Sequence, residues 1–170
     1  MIKQFTFNHF EVNTYVVIDE QAKQCAIVDP ACEASFEDSQ LMQYIATEGL
    51  TPVMVLLTHA HVDHIAGLRQ VCAHYKLPVS MHKEGRKLLN QAEAYGSIMG
   101  FAVDNMGDLE VVEINDNEVL KVGETEVTWH QFRTDSLQEW WQSRLPLFPL
   151  PHTRRREAGL LQLTFRRPGA

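Results

Sequence analysis

The chain predicts an α/β fold of the α+β kind, and three observations carry that expectation. β-branched and aromatic runs recur at 2–7, 14–18 and 24–28. Apolar residues at helical spacing follow, and then a further apolar run, which together make a strand–helix–strand crossover unit. That last run, Val53-Met54-Val55-Leu56-Leu57, leads straight into Thr58-His59-Ala60-His61-Val62-Asp63-His64-Ile65-Ala66-Gly67. Chemically active side chains beyond the carboxyl end of a buried strand are the common arrangement in open α/β sheets.

Taken in order, residues 2–7 alternate as a strand, and Asn8-His9 makes a turn. Thr14-Tyr15-Val16-Val17-Ile18 is a second strand, antiparallel to the first. A polar connection, Asp19-Glu20-Gln21-Ala22, leads to a third strand over 24–28 that ends at Asp29-Pro30. Asp29 either supports a turn or lies beside the histidine loop, since it too ends an apolar strand. In Ser35-Phe36-Glu37-Asp38 a hydroxyl precedes a carboxylate by three residues, a capping arrangement. Leu41, Met42 and Ile45 form one helical face, Gly49 stops the helix, and Pro52 opens the strand before the motif.

After the motif, Leu68, Val71, Cys72 and Tyr75 follow helical spacing and belong to the core. Asp63 and His64 therefore sit just before, or on, the first turn of that helix, where a carboxylate also gains from the helix dipole. Residues 78–81 form a short strand, and 83–95 a helix with Leu88, Leu89 and Ala92 inward and Gly96 ending it. Residues 97–108 form a loop over the site. Strands follow at 109–114, 119–122 and 125–129, with turns at Asn115-Asp116-Asn117 and Gly123-Glu124.

Composition limits the function classes. A chain of 170 residues, 45% apolar and 22% charged, suits one soluble globular domain with a sizeable core. No run of eighteen apolar residues suggests a membrane span, and the N-terminus lacks a signal-peptide core. Cys25, Cys32 and Cys72 form no spaced framework, so a cytoplasmic setting is expected. The net charge of −7 argues against nucleic acid as a partner.

That charge divides into −11 over residues 1–129 and +4 over residues 130–170. The second part contains no Val, Ile, Lys, Met, Cys, Asn or Tyr, although the first part holds 22 Val plus Ile. It carries Trp140-Trp141, four prolines and Arg154-Arg155-Arg156. Prolines at every second or third position block helix and central strand. The expectation is an atypical tail with no element longer than a turn or two, apart from a weak helix near 136–142.

The motif asks for metal. A chance occurrence of His-x-His-x-Asp-His in a chain with eight His has a probability of roughly one in a thousand. His59 and His61 are two apart, so in extended chain both imidazoles point the same way and meet one metal. Asp63 and His64 are adjacent, which suits a second metal nearby. Two such ions hold a water between them and lower its pKa to roughly 7, giving a hydroxide nucleophile for carbonyl or phosphoryl hydrolysis.

Residues 1–129 resemble the metallo-β-lactamase superfamily, and within it the branch akin to hydroxyacylglutathione hydrolase (glyoxalase II). Thr58-His59-Ala60-His61-Val62-Asp63-His64 carries the resemblance, with Ala26-Ile27-Val28-Asp29-Pro30 and Asn13-Thr14-Tyr15 in support. The resemblance implies an αββα sandwich, with His59 and His61 binding one zinc and Asp63 and His64 a second. It also implies that Asp63 handles the proton of the attacking water. The metal is expected to be Zn2+, with iron or manganese as alternatives, and the substrate a small acyl thioester.

The same family pattern calls for three further ligands: a His in Pro-Gly-His, a bridging Asp, and a final His. The first is due a few residues after Trp129, where the chain reads His130-Gln131-Phe132-Arg133-Thr134-Asp135. Its single Pro-Gly, at Pro168-Gly169, precedes Ala170. None of His9, His74, His82, His130 and His152 matches a family motif. We read the residues from about 130 onward as a shifted frame of a gene for a longer hydrolase. Translation of the other two frames tests this, and finding Pro-Gly-His in neither rejects it. The N-terminal half of the sandwich alone would expose an apolar sheet face, bind metal weakly and turn over slowly. The competing readings are a persulfide dioxygenase using iron, and an inactive metal-binding remnant.

Overall fold

A computed structural model of the chain describes residues 1–132 and 160–166. The first three runs form an antiparallel meander of β1 (Ile2–Phe7), β2 (Val12–Asp19) and β3 (Gln24–Val28). Helix α1 (Ser35–Thr47) crosses over to β4 (Thr51–Leu56), which lies parallel to β3. A 3-10 turn (Val62–His64) and α2 (Leu68–Tyr75) lead to β5 (Val79–His82). A second 3-10 turn (Lys83–Gly85), α3 (Arg86–Asn90) and α4 (Ala92–Met99) precede β6 (Val111–Ile114). The six strands form one sheet in sequence order, parallel from β3 onward.

Both faces of this sheet are covered. On one side Val16, Ile18, Ile27, Val55 and Leu57 pack with Leu41 and Ile45 of α1, Leu68 and Val71 of α2 and Leu89 of α3. On the other, Val17, Ala26, Val28 and Leu56 pack against Val122, Val127 and Trp129. These last three come from a second, antiparallel sheet of β7 (Val119–Val122), β8 (Thr125–Phe132) and β9 (Leu160–Arg166). Strand β3 is thus buried on both faces, which is why Cys25-Ala26-Ile27-Val28 reads as a continuous apolar run. Helices, a six-stranded sheet and a three-stranded sheet give three layers of the expected αββα sandwich.

Several expectations are corrected. The expected bare sheet face is covered: Val17, Ala26, Val28 and Leu56 are at most 1% exposed, because β7 and β8 fold back onto them. The α1 N-cap is Ala34, not Ser35. The Glu37 carboxylate fills the capping role, accepting from the backbone N–H groups of Asn8, Glu33 and Ala34 at 2.8, 2.7 and 3.2 Å. The helix expected over 83–95 is a 3-10 turn and two helices parted at Gln91. Gly96 lies inside α4, where it lets the helix pack closely on Phe101 and Val103, and Gly100 caps the end. Of the two positions expected for Asp63 and His64, the structure has the one just before α2, in a 3-10 turn of their own. Beyond residue 130, β8 runs on to Phe132 and β9 pairs with it, so the expectation of no longer element fails there. The alternation Leu161, Leu163, Phe165 suits a strand, and the prolines lie outside that stretch. The weak helix near 136–142, His152 and Pro168-Gly169 lie outside the described residues.

Candidate metal centre

The carboxyl end of β4 holds the motif. Leu57 N–H donates to Ser80 O at 2.9 Å, fixing the strand end against β5. The chain then leaves the sheet and turns, with His64 N–H donating to His61 O at 3.0 Å. Gly67 closes the loop by donating its N–H to Pro30 O at 2.9 Å. A Cβ at Gly67 would stand 2.8 Å from the Cys32 Cβ, so the loop returns to the sheet only with glycine there.

This path gathers the imidazoles. The ring centres of His59 and His64 are 4.0 Å apart, and those of His59 and His61 are 4.6 Å apart at right angles. Asp63 Oδ2 lies 3.7 Å from His64 Nε2. His59 thus neighbours both His61 and His64, and Asp63 lies beside His64. Among the described residues, the group of ligand atoms within 4.8 Å of one another takes in His59 and His64 but neither His61 nor Asp63.

Asp29 joins them from the end of β3. The sequence left its role open between a turn and the histidine loop; the structure gives it both. Its backbone bends at φ 49°, and its N–H donates to Leu56 O at 3.0 Å. Its carboxylate receives Thr58 N–H at 2.8 Å, the Thr58 hydroxyl at 2.5 Å and His64 Nδ1 at 3.0 Å. Ligand atoms of Asp29, His59 and His64 all lie within 4.8 Å of one another. Thr14 supports this bend: its buried hydroxyl donates to Asp29 O at 2.6 Å and accepts from Ala31 N–H at 3.0 Å. Asn8 does the same for the 3-10 turn, donating its side-chain amide to Asp63 O at 2.8 Å and to Ala31 O at 2.9 Å. These supporting contacts bridge up to 55 positions, so no local pattern reveals them.

Burial sets the charge states. It pulls His59 down to about 3, with His64 and His61 adding and Asp29 opposing. Burial also lowers His61, against the pull of Asp63. For His64 burial is the largest single influence and acts downward. The hydrogen bond to Asp29 and the charges of Asp29 and Asp63 together outweigh it, and His64 ends above its ordinary value. Neutral His59 and His61 are in the ligand form. Side-chain exposure rises from 4% at Asp29 through 12% at His64 to 23% at Asp63, so the carboxylate of Asp63 stands nearest solvent.

The remaining described histidines stand apart from this cluster. His9 pairs with Glu33 at 2.8 Å, His82 stacks on Trp129, His74 packs on Tyr75, and His130 meets Asn117 at 2.8 Å. Three imidazoles with an adjacent carboxylate, two of them backed by hydrogen-bond partners on Nδ1, are a donor set that fits a first-row metal. Among the described residues no helix is long and apolar enough to cross a membrane.

The chain is similar to several known proteins. The chain is 39% identical over 89 residues to a Bacillus subtilis protein named probable metallo-hydrolase YqgX, covering 52% of this chain and 39% of that one. It is 36% identical over 72 residues to hydroxyacylglutathione hydrolase of Pectobacterium carotovorum, covering 42% of this chain and 27% of the other. Among solved structures it resembles the BLEG-1 B3 metallo-beta-lactamase, at 26% identity and TM-score 0.64, over 77% of this chain and 61% of that one. TTHA1623 in a di-iron-bound form matches at 25% identity and TM-score 0.60, over 74% and 59%. The chain thus spans less than two thirds of each of these relatives. The family pattern itself matches residues 8–151, past the 129 boundary read from the sequence, and the chain belongs to the metallo-beta-lactamase superfamily.

Proposed function

We propose that the site serves metal-dependent hydrolysis of a small acyl thioester, with activity reduced in this chain. The observation that carries the reading is that His59 neighbours His61 and His64, and His64 neighbours Asp63, at the mouth of the β4 end. His59 and His61 would hold one metal through imidazole nitrogen, and His64 with the Asp63 carboxylate a second. Zn2+ suits this set, and the di-iron relative keeps iron in view. A bound divalent ion supplies Lewis acidity and lowers the pKa of water. The protein's own part is to keep His59 and His61 neutral, to orient the rings of His59 and His64 through Thr58 and Asp29, and to present Asp63 Oδ2 as a proton acceptor more exposed than the Asp29 carboxylate. The thioester preference rests on the likeness to hydroxyacylglutathione hydrolase.

Reduced activity follows from the ligand set. The Pro-Gly-His due a few residues after Trp129 is missing from the sequence, which reads His130-Gln131-Phe132-Arg133-Thr134-Asp135 there. Metal analysis and zinc titration of the purified chain, with hydrolysis of an S-hydroxyacyl-glutathione, test the reading. Slow turnover that disappears in His61→Ala and in Asp63→Ala is expected. Turnover indifferent to both substitutions rejects the site, and micromolar-or-tighter zinc with brisk turnover rejects the impairment.

A further inference from the structure

We infer that Asp29 sets the proton positions of two histidines at once, His64 directly and His59 through the Thr58 hydroxyl, leaving Nε2 of both rings free. Its purpose rests on the metal-binding reading above, but its geometry does not.

The inference is an accounting of donors and acceptors. A carboxylate only accepts hydrogen bonds, so at the 3.0 Å contact with Asp29 Oδ2 the hydrogen belongs to His64 Nδ1. The Thr58 hydroxyl has one hydrogen, and at 2.5 Å it goes to the same Oδ2. Thr58 Oγ1 can then only accept at its 2.8 Å contact with His59 Nδ1, so that nitrogen also carries hydrogen. In a neutral imidazole the other nitrogen, Nε2, keeps its lone pair. For His64 that nitrogen is the one 3.7 Å from Asp63.

Asp29 itself is a positioning residue. Its Oδ2 takes two hydrogen bonds and its Oδ1 takes Thr58 N–H at 2.8 Å, so both oxygens are engaged in orienting others. A role in the turn alone would need only the bond to Thr58 N–H. The hydroxyl of Thr58 is the element that extends the control to a second ring.

Imidazole nitrogen NMR on the full-length, metal-free, 15N-labelled chain tests this at a pH where both rings are neutral. His59 and His64 should both show the Nδ1–H form. In Thr58→Val, His59 should lose its single form while His64 keeps it, and zinc affinity should fall roughly 10–100-fold. Thr58→Ser should restore both readouts. Asp29→Asn, which tolerates the same backbone bend, should disturb both rings. An Nε2–H form at either histidine of the unaltered chain overturns the inference. So does a Thr58→Val chain with unchanged His59 spectrum and zinc affinity. The expected spectra without any zinc uptake would leave the inference standing and reject the metal reading instead.

Discussion

The two sheets contribute differently. At the carboxyl end of the six-stranded sheet, Asp29, Thr58 and His64 are tied by side-chain hydrogen bonds into a site. The three-stranded sheet gives Val122, Val127 and Trp129, all at most 1% exposed, which pack on the opposite face of the same strands. Its His130, next to Trp129, meets Asn117. Completing the core and completing the ligand set are therefore separate tasks in this fold. Among the described residues the second sheet performs the first.

Trp129→Ala should break the packing half of that comparison most severely. A fully buried indole stacked on His82 is lost, at a cost of about 3–5 kcal/mol in denaturant unfolding. Imidazole spectra of the surviving folded fraction should keep the Nδ1–H pattern; their collapse would mean that the sheets are not separable. His61→Ala addresses the other half. Zinc affinity should drop by more than the roughly 10–100-fold that loss of a supporting residue costs, while metal-free stability moves by no more than about 1 kcal/mol. Isothermal titration beside urea unfolding reads both quantities.

The smallest effect concerns the seam. Asp19 accepts from Ala22 and Gln21 within its own turn, and from Glu124 and Thr125 of the β7–β8 connection. The Ala22 amide is the strongest influence, and with the other bonds it outweighs burial and holds Asp19 at about 2, below its usual 3.8. A carboxyl lowered on folding stabilises the fold above its unfolded value, and that stability is lost as pH falls through the folded one. Acid unfolding of the chain should therefore steepen between about 4 and 2, and Asp19→Asn should flatten that window. An unchanged profile would separate Asp19 from the seam.

Much of this was legible in the sequence because it is local. The strands at β1, β3 and β7, the α2 stripe of Leu68, Val71 and Cys72, and the histidine motif all follow from neighbouring residues. What was missed depends on distant partners. Ser35 looked like the cap, but Glu37 reaches back to the amides of Glu33 and Ala34 and across to that of Asn8. Asp29 ends an apolar run like many turn residues, and only the Thr58 and His64 contacts reveal its part. Nothing in the alternation of 119–129 says which surface those strands cover, so the sheet face was expected to lie bare.

The Asp19 seam also bears on the order of folding. The contacts to Glu124 and Thr125 span 105 and 106 positions, and Gly123 N–H reaches Gln24 Oε1 across 99. Closing a chain segment of that length costs roughly 1.7 kcal/mol more entropy than closing one of about 15 residues. The β1–β3 meander closes over short connections and bears no such cost. On that count the second sheet is expected to dock late onto the first, and to be released early in unfolding.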